Sequence, residues 1–79
     1  MKKEKLLRIL GDNLTRIRKE KGLTQEELAD KIGVAKQNIS RIERYGAMPT
    51  AYTLHKISKA LDVPVDEFFN TIVVEKVDV

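Results

Sequence analysis

Cysteine is absent from this 79-residue chain, which excludes disulfides and thiolate metal sites and fits the reducing cytoplasm as its compartment. Long apolar runs are missing too: nothing approaches the roughly 20 apolar residues needed to span a bilayer, so no membrane partner is expected. The basic start MKKEKLLRIL is interrupted by Arg8 and leads to Gly11 and Asp12. It therefore lacks the unbroken apolar segment and small-residue cleavage site of a signal peptide. The four glycines are scattered at turns, so no phosphate-cradling loop exists. The single histidine, His55, has no catalytic or metal-binding neighbour in sequence and reads as a surface or boundary residue. The acidic pairs Glu26/Glu27 and Asp66/Glu67 are explained by helix capping and the helix dipole. No enzyme, cofactor, metal or small-molecule ligand is expected.

What is present is one small domain, whose core supplies only about 3 to 5 kcal/mol unless a partner adds to it. Net charge is +3, but it is unevenly placed. Residues 1–44 hold 12 Lys and Arg against 7 Asp and Glu, while residues 45–79 hold 3 against 5. A basic half of this kind is an electrostatic footprint for phosphate backbone, although by itself a weak one.

The chain is organised around TQEELADKIGVAKQNISRIE, beginning at Thr24. Thr24 and Glu27 have the spacing of a capping box, and Leu23 with Leu28 that of a hydrophobic staple. Leu28, Ala29 and Ile32 give one buried helical face. Gly33 ends that helix, since glycine adopts a left-handed cap most cheaply, and Val34 turns inward. A second helix from about residue 36 to 44 has Ile39 and Ile42 inside. At about 100° per residue, Gln37, Ser40, Arg41 and Arg44 fall opposite them, with Lys36 and Asn38 on the flanks. Two short helices joined by a glycine turn make a helix-turn-helix. An outer face of donors and cations suits the major groove, where guanine accepts from Arg or Lys and adenine pairs with Gln or Asn. The bland reading of the same face is a solvated helix surface.

The rest of the pattern is helical until the end. Residues 1–5 are polar and read as frayed. Leu6, Leu7, Leu10, Leu14 and Ile17 predict a first amphipathic helix to about Lys21. Gly11 disfavours its early part by up to about 1 kcal/mol, which moves the expected start towards Asp12. After the turn-forming YGAMPT, Thr50 caps a fourth helix over about residues 51–61 that buries Leu54, Ile57 and Leu61. VDEFFN leaves room for a fifth helix of two turns or less, with one of Phe68 and Phe69 in the core. TIVVEKVDV alternates β-branched and polar residues, a strand signal. A lone strand needs pairing, and two such tails pair readily at a two-fold axis. A disordered tail is the other reading.

The words LGDNLTRIRKEKGLTQEELADKIGVAKQNISRIER and PTAYTLHKISKALDVPVDEFF resemble the Cro and phage-repressor type of helix-turn-helix proteins, also called the xenobiotic-response-element family, over about residues 10–69. The resemblance implies an all-α, compact five-helix lambda-repressor-like DNA-binding domain over residues 1–70, with the motif at 24–44; the tail at 71–79 lies beyond it, either as a dimer strand or as a disordered end. It implies a sequence-specific transcriptional regulator, most often a repressor, binding double-stranded DNA as a homodimer on a two-fold operator. Position by position, Lys36, Gln37, Asn38 and Arg41 would meet base edges, and Thr24, Gln25, Ser40 and Arg44 the sugar-phosphate backbone. Arg18 and Glu43 match positions that form an internal ion pair in relatives.

Three departures from the family pattern stand out. Ala35 replaces the usual Ser or Thr cap of the reading helix, Tyr45 stands where relatives have glycine, and residues 47–48 lack Lys and Arg. Tyr45 and Tyr52 read as packing residues or as hydroxyl donors to phosphate. An antitoxin or adaptor whose main partner is a protein is the competing function, with Phe69 and the tail valines as its surface.

Overall fold

The computed structural model describes residues 2–71, so the strand and dimer contact expected of the tail lie outside the described residues. The first element, α1 (Lys3–Glu20), is one unbroken helix of 18 residues. It therefore begins earlier than expected, and Lys3 to Lys5 are helical rather than frayed. The reason is Gly11, which is buried. A Cβ there would stand 2.6 Å from the Ile42 carbonyl oxygen and 3.0 Å from that of Glu43. Its hydrogen thus lets α1 pass directly across the backbone of a later helix. The helix-propensity penalty buys that close approach. Leu10, Leu14 and Ile17 then line the buried face of α1.

The motif forms as its residues dictate. In α2 (Gln25–Ile32) the capping box is complete. The Thr24 hydroxyl accepts from the Glu27 amide at 3.0 Å, and the Thr24 amide donates to the Glu27 carboxylate at 2.8 Å. Gly33 closes the helix at φ 75°, the left-handed region that glycine enters without a Cβ clash. The next helix, α3 (Lys36–Tyr45), runs one residue longer than expected and ends at left-handed Gly46. Ala35 gives it no side-chain cap. Leu28, Ala29 and Ile32 from α2 meet Ile39 and Ile42 from α3 in the core.

Thr50 caps α4 (Ala51–Leu61) by accepting from the Thr53 amide at 3.0 Å. Ile57 and Leu61 are buried, while Leu54 is only partly so. The expected fifth helix is instead a 3-10 helix, Val65–Phe69. The described fold is thus four α-helices and a 3-10 turn, not five α-helices. Such tight turns stay short because their hydrogen bonds are poorly aligned. Here the Asn13 side chain also claims the carbonyls of Phe68 and Asn70, at 2.9 and 3.0 Å. That latch draws Phe68 fully into the core, with Phe69 partly buried beside it. No helix among the described residues is long and apolar enough to cross a membrane.

Candidate nucleic-acid interface

Ile39 and Ile42, at 0% and 4% exposure, anchor α3 from one side and leave the other side free. Lys36, Gln37, Asn38, Arg41 and Arg44 are all exposed, and Ser40 is half-buried. The first turn of α3 holds no carboxylate. Both ion pairs among the described residues, Arg16 to Glu20 and Arg18 to Glu43, lie away from this face. The α3 donors therefore have no ion-pair partner among the described residues. At the N-terminus of α2, Thr24 is exposed with its oxygen engaged in the cap, and Gln25 is half-buried.

Beneath α3 lies a buried polar knot. The Arg18 guanidinium donates to both Glu43 carboxylate oxygens, at 2.8 and 3.0 Å, and to the Leu23 carbonyl at 2.7 Å. Arg18 and Glu43 side chains are only 7% and 3% exposed. A buried ion pair survives when hydrogen bonds satisfy its remaining atoms, and this one gains a third member. Gln25 donates its amide nitrogen to Glu43 at 2.9 Å. Burial pushes the Glu43 carboxyl up, but the Arg18 and Gln25 hydrogen bonds and the Arg18 charge outweigh it and hold the group below its ordinary value of 4.5. One residue from each of α1, α2 and α3 thus fixes the angle at which α3 is presented.

The internal pair was expected from family resemblance alone; the Gln25 contact was not anticipated. Its two partners stand 18 positions apart, beyond the reach of helical periodicity. Tyr45 and Tyr52 are 77% and 70% exposed, so neither is a packing residue. The Tyr52 ring instead faces the Lys56 ammonium, 4.7 Å from the ring centre. Phe69 is not the exposed surface that the adaptor reading required. Met48, in the loop that lacks Lys and Arg, is 60% exposed.

A capped helix, a left-handed glycine turn and a second helix with one face clamped and one free define a helix-turn-helix domain. The helix-turn-helix family HTH_3 matches residues 14–68. The chain belongs to this family, the Cro/C1-type helix-turn-helix proteins.

It is 43% identical over 56 residues to y4dJ of Sinorhizobium fredii, an uncharacterized HTH-type transcriptional regulator, covering 71% of this chain and 73% of that one. It is 45% identical over 58 residues to the HTH-type transcriptional regulator SinR of Bacillus subtilis, covering 72% of this chain and only 52% of SinR. Among solved structures, SinR in complex with DNA superposes at TM-score 0.72 with 42% identity, covering 77% of this chain and 98% of that one. The restriction-modification controller protein C.AhdI of Aeromonas hydrophila superposes at TM-score 0.75 with 32% identity, covering 80% and 96%.

Proposed function

We propose that this chain, a helix-turn-helix regulator of transcription, binds double-stranded DNA sequence-specifically as a homodimer on a two-fold operator and acts as a repressor. The observation that carries the reading is the outer face of α3: exposed amides and cations, without a side-chain partner among the described residues, on a helix clamped from behind by Ile39, Ile42 and the Arg18–Glu43–Gln25 knot. In this reading residues 1–70 are the DNA-binding unit. Lys36, Gln37, Asn38 and Arg41 read base edges in the major groove. Thr24 and Gln25, at a helix N-terminus where amides attract phosphate, position the protein with Ser40 and Arg44. Residues 71–79 supply the dimer contact. Likeness to the SinR–DNA complex supports the mode of docking.

The test is selection of bound sequences from a random duplex pool, followed by the Arg41→Ala variant. Enrichment of a two-fold motif is expected. Arg41→Ala should then lose about 1 to 3 kcal/mol on that motif and relax preference at one base pair per half-site. Equal losses on the motif and on random DNA would show that Arg41 touches only backbone.

A further inference from the structure

One cleft of about 270 Å³ continues the reading face of α3 into the loop that follows it. Asn38, Arg41 and Ile42 line it from α3, and Ala47, Met48 and Pro49 line it from the loop. Thr50 and Thr53 also line it, but their hydroxyls bond each other at 3.1 Å and the Thr50 oxygen also takes the Thr53 amide. Those groups are engaged in capping α4. The loop wall therefore offers a bound group chiefly carbon and sulfur, side by side with two polar base-reading residues. Met48 keeps 60% of its surface in water, and it is a flexible side chain suited to adapt to an irregular apolar contact.

On the assumption that α3 enters the major groove, we infer that Met48, with Ala47, is a specificity residue that takes the C5-methyl group of a thymine. That methyl is the one apolar group the major groove displays, and it is displayed only by A·T pairs. Arg41 or Asn38 then reads a polar edge beside the methyl. The loop's lack of Lys and Arg is thereby exchanged for sequence information instead of phosphate contact.

The experiment uses the operator duplex obtained by selection, with each thymine replaced in turn by deoxyuridine, which lacks only the methyl. For the wild-type protein, one position in each half-site should weaken binding about fourfold, the affinity equivalent of burying one methyl group. That sensitivity should vanish in Met48→Ala and persist in Met48→Leu. Circular dichroism checks that both variants remain folded. A sensitive thymine that responds equally in wild type and Met48→Ala assigns the methyl to other residues and overturns the inference, as does the absence of any sensitive thymine. Both of these outcomes leave operator binding intact. Failure to enrich any sequence would instead overturn the operator-binding reading itself, and the inference with it.

Discussion

Glu43 shows how much one side chain sets. Its carboxylate is held by Arg18 and Gln25 at once, so losing its charge leaves the Arg18 guanidinium, 7% exposed, without a counter-ion. Removing one member of a buried pair typically costs about 3 to 5 kcal/mol, and Glu43→Gln should lose about that much at pH 7. The pH dependence has a definite sign. Because the folded-state pKa lies below the ordinary 4.5, the carboxylate's contribution is fully present above about 4.5. It is lost as pH falls from there through the folded value. Urea unfolding of the two proteins, both stabilised with sucrose, should show a gap that narrows as pH falls below about 4.5, and a constant gap would rule this role out. Gly11 is the second decisive residue. Alanine is the better helix former by up to about 1 kcal/mol, yet Gly11→Ala should destabilise the fold by about 1 to 3 kcal/mol. Its methyl would press on the Ile42 carbonyl 2.6 Å away. A rise in melting temperature would refute that packing argument.

At the level of elements, α3 begins without a side-chain cap. Its capping position is occupied by Ala35 in extended backbone, φ −74° and ψ 146°, and the Asn38 amide reaches only the Ala35 carbonyl, at 2.9 Å. A serine there can accept from that amide with its side chain. Ala35→Ser should add about 1 kcal/mol, raising the melting temperature by about 4 to 8 °C for a domain of this size. An unchanged or lower melting temperature would show that the start of α3 is already satisfied. This missing cap could be read directly from sequence, as could the Thr24–Glu27 box, the Gly33 turn and the Thr50 cap. Each is decided by residues within a few positions of one another. Other features could not be read that way. Gly11 reads from sequence only as a propensity cost that delays the start of the helix, because its partner is the backbone of residues 42 and 43. The 3-10 turn looked like a short α-helix because Asn13, 55 positions from Phe68, is what captures its carbonyls. At the site, periodicity placed the outward face of α3 correctly, but not the Gln25 contact that orients it, nor the Met48 wall beside it.

For the molecule as a whole, the question is how many copies act together. A single domain reads one major groove. A two-fold pair can place two α3 helices in successive grooves about 34 Å apart, and phosphate contacts then double with the subunits. If each subunit neutralises about 4 to 6 phosphates, log K against log salt should fall with a slope of about −4 to −5 for one subunit and about −7 to −11 for two. The positive charge concentrated in residues 1–44 favours contacts from the motif half of the chain. Fluorescence anisotropy on the selected duplex between 50 and 200 mM salt would measure the slope. Light scattering of the free protein at low micromolar concentration would give its mass in parallel. The steep slope should accompany a dimer mass, and removing residues 71–79 should lower the mass and reduce the slope towards the single-subunit value. Truncation that leaves both unchanged would move the dimer contact off the tail and onto the folded helices. A shallow slope in the intact chain, with monomer mass, would exclude the two-fold arrangement while leaving each α3 able to read its own groove.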